Sequence, residues 1–257
     1  MEKRRIAIVT GASSGFGREF VRLLVKDDTI DEIWAVARAQ ERLEKLVSEF
    51  GSKVKPYSVD LADKEALNEF GDKIKMANGV VCYLVNNAGY AKFCSYNDLS
   101  IEDSLNMMEL NCSAVVAMGL FCIPFMERGS HIINVASQAS FQPLPYLNLY
   151  SASKAFVRNY SRSLNVELRD KGVTVTAVCP GWMDTALYDR ATIGAEKTIQ
   201  QFRGMVKPDK VAEKALRDAR KGKDISVYGW RTKISHFVAK ILPQRAMMKL
   251  WLWQQKM

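Results

Sequence analysis

The stretch LYSASKAF, Leu149–Phe156, sets a phenol at Tyr150 and an ammonium at Lys154 four residues apart, in a segment of helical character. On an α-helix these positions share one face, with Cβ atoms about 5–6 Å apart. A tyrosine alone is a poor acid or base near neutrality because its pKa is about 10. A cation about 4 Å away at an intermediate effective dielectric interacts by several kcal/mol before desolvation, so a pKa lowered by about a unit or more is expected. Such a phenol can protonate a developing alkoxide or take a proton from an alcohol.

A second constellation lies near the start, where RIAIVTGASSGFG runs from a strand-like segment through Gly11, Gly15 and Gly17 into a helix-like one. Glycine allows a tight turn and the close approach of a pyrophosphate, whose charge is favoured by free N–H groups at the positive end of the helix. The same glycines would also serve a turn that only packs strand on helix.

These groups need elements to hold them. Runs rich in Val and Ile occur at Arg5–Thr10, Glu32–Ala37, Val54–Val59, Cys82–Asn86, His131–Ala136, Val173–Cys179 and Ile225–Tyr228. Their continuous apolar character suits strands buried on both faces. Helical patterns lie between them, at Gly15–Lys26, Gln40–Phe50, Lys64–Ala77, Glu102–Glu127, Leu149–Lys171 and Lys207–Lys221, with Ser100 and Asp103 as a capping pair for the fourth. The alternation predicts an α/β fold: a doubly wound, seven-stranded parallel sheet with helices on both faces and ligands at the carboxyl ends of the strands. One domain over residues 1–257 is expected, with 230–257 as a basic, aromatic extension of it.

Composition narrows the chemistry. Cys82, Cys94, Cys112, Cys122 and Cys179 form no C-x-x-C pair, and the only histidines are His131 and His236, so neither a disulfide framework nor a metal site is expected. The apolar run Ala114–Met126 contains Pro124 and is shorter than the roughly 18 residues of a membrane span. The basic start with its short apolar run falls short of a signal-peptide core, and the reading is a soluble, cytoplasmic protein.

Charge is unevenly distributed. From Met1 to Val206, 24 Lys and Arg balance 24 Asp and Glu, so the whole net charge of +9 lies beyond. After Asp224 there is no acid, and cations alternate with Phe237, Ile241, Leu242, Leu250, Trp251 and Trp253. A neutral body without a recognition motif excludes nucleic acid. The preferred reading of the tail is a helix covering a pocket or a neighbouring subunit; peripheral membrane contact is the alternative, disfavoured because Pro243 interrupts the amphipathic face.

Taken together the motifs resemble those of the short-chain dehydrogenase/reductase family, in its order, from Arg5 to about Gly229: TGASSGFG at Thr10–Gly17, Asp60, NNAG at Asn86–Gly89, Asn111, Ser137, YSASK at Tyr150–Lys154 and CPG at Cys179–Gly181. Phe16 departs from the Ile or Leu more usual there. The resemblance implies a Rossmann-type fold and a nicotinamide cofactor contacted by Gly11, Ser13, Ser14, Gly15, Phe16, Gly17, Asp60, Leu61, Asn87, Ala88, Gly89, Tyr150, Lys154, Pro180, Gly181, Met183 and Thr185. It implies Tyr150 as acid/base, Lys154 on the nicotinamide ribose, Ser137 on the substrate oxygen and Asn111 holding a relay water. Asp60 would accept from the adenine amine, or cap the helix that follows; Asn111 could instead only satisfy backbone groups. At the end of the second strand an acid would bind a ribose 2′-hydroxyl and an arginine a 2′-phosphate. Ala37 and Arg38, with Arg42 a turn later, therefore favour NADP(H).

The expected lid is apolar: Trp182, Met183, Leu187, Tyr188 and Phe202, facing Phe93, Phe141, Pro143, Pro145, Tyr146 and Leu147. The expected activity interconverts a secondary alcohol and a ketone on an apolar, steroid-like, acyl or aromatic substrate. The alternatives are a 3-oxoacyl-thioester reductase and a non-catalytic NADP-binding sensor. The resemblance also implies a homodimer or homotetramer.

Overall fold

Alternate residues of the first strand point into two different cores. In the computed structural model, which describes residues 3–185, 191, 199, 201–202 and 204–256, Ala7 and Val9 of β1 (Arg5–Thr10) enter one apolar layer, and Ile6 and Ile8 enter the other. A strand covered on both faces has no polar side, hence its unbroken apolar sequence. The sheet runs β3 (Val54–Ser58), β2 (Glu32–Ala37), β1, β4 (Val80–Asn86), β5 (His131–Val135), β6 (Thr174–Val178), β7 (Ile225–Ser226), with every pair parallel. All carboxyl ends therefore lie along one edge, and the order reverses at β1, which opens a crevice between the β1 and β4 loops.

Helices α1 (Gly15–Leu24), α2 (Gln40–Phe50) and α6 (Pro208–Arg220) cover the first layer, through Phe20, Leu43 and Val211 among others. Helices α3 (Lys64–Ala77), α4 (Ile101–Phe125) and α5 (Asn148–Glu167) cover the second, through Phe70, Met118 and Leu164. The Asp63 carboxylate caps α3 by accepting from Ala66 N–H, and the Ser100 hydroxyl caps α4 by accepting from Asp103 N–H.

The expected elements are present, with instructive differences in their bounds and local form. Strand β7 is two residues long, not four, because Gly229 (φ +83°) turns the chain away into α7 (Trp230–Ile241). Helix α5 stops at Glu167 instead of Lys171, where a turn ending on Gly172 (φ +72°) leads into β6. Helix α4 is continuous through the apolar run, so its 25 residues have the length and composition of a membrane span. Here Met107, Ala114, Met118 and Cys122 lie in the protein core. Within α4, Glu109–Ser113 widen into a π-helical turn that the sequence pattern did not announce. After α7, Pro243 starts a separate helix, α8 (Gln244–Gln255).

Asp218 of α6 ties down the short β7. Its buried carboxylate accepts from Ser226 Oγ at 2.7 Å, Lys214 Nζ at 2.6 Å and Lys223 Nζ at 2.9 Å. These donors outweigh burial and draw its pKa down to about 2, from 3.8. The sign follows: the carboxylate stabilises the fold above pH 3.8, and that contribution is lost as pH falls through 2. Asp218→Asn should lower unfolding free energy near neutrality by about 2–3 kcal/mol and remove this acid limb, as urea melts of both proteins across pH would show.

Candidate functional site

A chain of buried amides sets the position of α5. Asn86 of β4 and Asn134 of β5 are register partners, and Asn86 Nδ2 donates to Asn134 Oδ1 at 2.9 Å. Asn134 Nδ2 then donates to Ser161 Oγ of α5 at 2.9 Å. At the N-terminal end of the same helix Lys154 Nζ donates to the Val135 carbonyl at the end of β5, at 2.9 Å. Tyr150 and Lys154 are thus anchored at the carboxyl edge of the sheet, with the lysine only 5% exposed.

The π-turn of α4 supports this helix from behind. Asn111 accepts from Tyr90 N–H (3.1 Å) and donates Nδ2–H to the Tyr90 carbonyl (2.9 Å) and to Ser153 Oγ (3.2 Å), which itself donates to the Tyr150 carbonyl. A Cβ on Gly89 would lie 2.7 Å from Asn111 Oδ1 and 3.4 Å from Lys154 Nζ, so only glycine lets the β4 loop pass between these groups. Asn111 is fully buried and stands behind the cavity wall, bonded to backbone and to Ser153.

The glycine loop is clasped to β4 by Thr10 and Asn87. Thr10 Oγ1 accepts from the N–H groups of Asn87 and Ala88 at 3.0 Å each, and Asn87 Nδ2 donates to the carbonyls of Thr10 and Gly11. Gly11 (φ +63°) leaves room for no side chain, since a Cβ would sit 2.7 Å from Asn87 Nδ2. Gly17 has a different task from the one expected. It does not line the cavity; its missing Cβ lets α1 pack on the loop, where a Cβ would be 2.2 Å from the Gly11 carbonyl oxygen.

A cavity of about 1380 Å³ joins these parts. Gly11, Ser13, Ser14, Gly15, Phe16, Arg38, Arg42, Asp60 and Leu61 line one end, and Asn87, Ala88, Gly89, Ser137, Tyr150 and Lys154 the middle. Pro180, Gly181, Met183 and Thr185 line it after β6, where Met183 bridges to Val206. Asp60 does not cap α3, which is Asp63's role; it accepts from Ala62 N–H and lies 3.6 Å from Arg38.

The expected lid is only partly assembled around the cavity. Phe93, Leu147, Trp182 and Met183 line it, and Phe202 packs edge-on against Trp182. Phe141, Pro143, Pro145 and Tyr146 do not: Phe141 stacks on His236 at 3.9 Å, and the Pro145 carbonyl accepts from Trp251 Nε1. Leu187 and Tyr188 lie outside the described residues. The C-terminal segment covers the pocket, as expected of it, through Arg231, Trp251 and Gln255, although these residues were not singled out, and Gln142 was missed altogether. The spacing of Met247, Trp251 and Gln255, one buried face of α8, carried a signal for two of them. Nothing local marks Gln142, whose Oε1 is buried without a hydrogen-bond partner among the described residues.

The electrostatics correct one expectation. The Tyr150 pKa is not lowered; burial pushes it above the ordinary value, and a hydrogen bond with Ser137 pulls it back only in part. Lys154 Nζ lies 5.8 Å from the phenol ring centroid and spends its bond on Val135. Burial draws Lys154 itself down to about 8, against a small opposing pull from Cys112 and Cys179. Cysteine chemistry is disfavoured, since all five thiols are buried and burial raises Cys179 to about 11.

A glycine loop at the reversal of a parallel sheet, opening into a cavity that also holds Tyr150 and Lys154, defines a Rossmann-type protein. Comparison narrows the class. Residues 5–194 match the short chain dehydrogenase family, and the chain belongs to it. It is 33% identical over 216 residues to the "NADP-dependent 3-hydroxy acid dehydrogenase YdfG" of Escherichia coli, covering 81% of this chain and 86% of that one. It is 31% identical over 258 residues to the "Probable oxidoreductase EphD" of Mycobacterium tuberculosis, covering 92% of this chain but 43% of that protein, so it spans less than half of that relative's length. Among solved structures, the short-chain dehydrogenase from Sphingobium yanoikuyae superposes with a TM-score of 0.78 at 22% identity, over 96% of this chain and 95% of that one, and shares the fold.

Between the folded Lys154 value of about 8 and its ordinary 10.5, the unfolded chain holds more protons than the folded one. Stability therefore rises with pH across that window. The unfolding free energy of the unmodified protein relative to Lys154→Met should climb by on the order of 2–3 kcal/mol from pH 8 to pH 10.5, measured by denaturant melts.

Proposed function

We propose that the protein is an NADP(H)-dependent oxidoreductase interconverting a secondary alcohol and a ketone. The observation that carries this reading is the half-buried Tyr150 phenol, in one cavity with Ser137, Lys154, the glycine loop and Arg38. The cradle fits a dinucleotide: backbone at Gly11 and Gly89 is bare where any Cβ would collide, and exposed Arg38 and Arg42 stand where a 2′-phosphate needs cations. The resemblance to an NADP-dependent relative supports the same choice. When bound, the nicotinamide supplies or accepts the hydride.

The chain's own residues handle the proton and the oxygen. Ser137 Oγ is positioned to hold the carbonyl oxygen beside the Tyr150 hydroxyl, and the phenol gives its proton as alkoxide character grows. Its raised pKa suits the donor role, since the proton is retained until the oxygen demands it. The Lys154 ammonium, held on the Val135 carbonyl, stabilises the phenolate that remains.

The substrate end is lined by apolar Phe93, Leu144, Trp182 and Trp251, which favours an apolar body. A second reading has its own support. Lys92 and Arg231 also line the cavity, which suits an acid or 3-oxoacyl-thioester substrate with an anionic group. A sensor without turnover is disfavoured by the complete Ser137, Tyr150 and Lys154 set. Pairing with a second copy is assigned to α4 and α5, where Leu105, Leu120, Phe156 and Val166 are exposed.

Tyr150→Phe should reduce NADPH oxidation against a panel of steroids, simple ketones, 3-oxo acids and acyl thioesters by at least about a thousandfold, while NADPH binding by fluorescence titration changes little. Turnover retained in that variant would remove the acid/base assignment; tight NADPH binding with no turnover by the unmodified protein would favour the sensor. Ala37→Asp combined with Arg38→Leu should shift the ratio of kcat/KM for NADPH over NADH toward NADH by about a hundredfold, and an unchanged ratio would mean that another group reads the phosphate.

A further inference from the structure

The C-terminal helices have two unlike faces. On the inner side Thr232 and Ser235 of α7 and Trp251 and Gln255 of α8 line the cavity, and Gln255 Oε1 accepts from Gln201 N–H at 3.2 Å. On the outer side of α7, Trp230, Ile234, Phe237 and Ile241 are 68%, 53%, 64% and 63% exposed. At about 100° of rotation per residue these four fall within about 60° of arc, one straight apolar edge. Leu242 follows them, and α8 adds Leu250 and Trp253, the last 73% exposed. Single exposed apolar residues are ordinary, but a contiguous stripe ending in tryptophans is not.

The charges that flank the stripe are cations. Lys233 and Lys240 lie on one side, each about 70–90° from its centre, and Arg231, which also lines the cavity, lies on the other. Arg245, Lys249 and Lys256 follow on α8, and no acid occurs beyond Asp224. A symmetric contact between two copies would set these cations against one another with no partner from the same segment. A lipid interface answers both features, offering hydrocarbon to the stripe and phosphates to lysines that snorkel beside it.

We propose that this outer face docks the protein on an anionic lipid surface, with α7 lying in the plane of the interface. The helix does not cross the bilayer, since it has 12 residues before the break at Pro243 and a span needs about 20. The break at Pro243 does not destroy the amphipathic face, because the stripe is complete within α7. Docking puts the cavity wall formed by Thr232 and Ser235 about one helix diameter, roughly 10 Å, from the lipid. It is independent of the reaction assigned to the cavity.

Flotation of the full chain with vesicles tests the proposal. The protein should float with mixed phosphatidylcholine/phosphatidylglycerol vesicles and bind pure phosphatidylcholine at least about tenfold more weakly. Ile234→Glu/Phe237→Glu and, separately, Lys233→Gln/Lys240→Gln should each weaken binding to the mixed vesicles by about tenfold or more, with thermal midpoints unchanged. The charge variant decides the matter if the glutamates disturb folding. Absence of the unmodified protein from the anionic vesicle fraction would overturn the proposal, as would undiminished flotation of the variants. So would light scattering that showed Ile234→Glu/Phe237→Glu splitting an oligomer, for then a second copy covers the stripe.

Discussion

Lys154 carries an ammonium that is 5% exposed, and a buried cation is tolerated only where fixed dipoles replace the lost water. Here the Val135 carbonyl accepts its hydrogen at 2.9 Å, which requires β5 to end at that residue and α5 to begin at that depth. The residual cost appears as a pKa drawn down to about 8. The Asn86–Asn134–Ser161 chain locks α5 to the sheet, and the π-turn of α4 brings Asn111 against Ser153, one residue before the lysine. Gly89 is then compelled, since a Cβ there would enter the space between Asn111 and Lys154.

The same sheet edge gathers the second half of the site. Because β1 sits where the strand order reverses, its loop faces the β4 loop, and Thr10 and Asn87 bind the two together. The glycine loop and the Tyr150–Lys154 pair therefore lie along one sheet edge. Asn87 is as much a brace of the glycine loop as a wall of the cavity. The other wall comes from segments beyond the sheet, from Trp182 after β6 and from Trp251 and Gln255 in the last helix.

Much of this was legible in the residues. Apolar runs marked the strands most clearly where both faces are buried, as in β1, β2 and β4, while the edge strand β3 (VKPYS) is only partly buried; α2 and α3 fell on the expected residues, α3 capped by Asp63 and α2 ended by Gly51. The tail was harder to read. Pro243 does interrupt the amphipathic face, as its position implies, and each helix around it has a face of its own: Met247, Trp251 and Gln255 inward on α8, Trp230, Ile234, Phe237 and Ile241 outward on α7. A pattern of hydrophobic spacing tells that a helix has a side, and only packing tells which side meets the protein.

By itself the sequence determined the order of elements, the glycine loop, the phenol–ammonium pair and the absence of an acid at Ala37, because each depends on residue type and short-range spacing. Tertiary structure alone decided the rest. The direction of the Tyr150 shift depends on how deeply the phenol is buried and on whether Lys154 faces it or Val135. The positions of Gln142, Arg231 and Trp251 in one cavity depend on loops and helices far apart in the chain. The motif implies that Gly17 contacts the cofactor and that Asn111 holds a relay water, or else only satisfies backbone groups; both lie behind the wall, since a close approach of backbones and a widened helical turn are facts of three-dimensional packing that spacing along the chain does not encode.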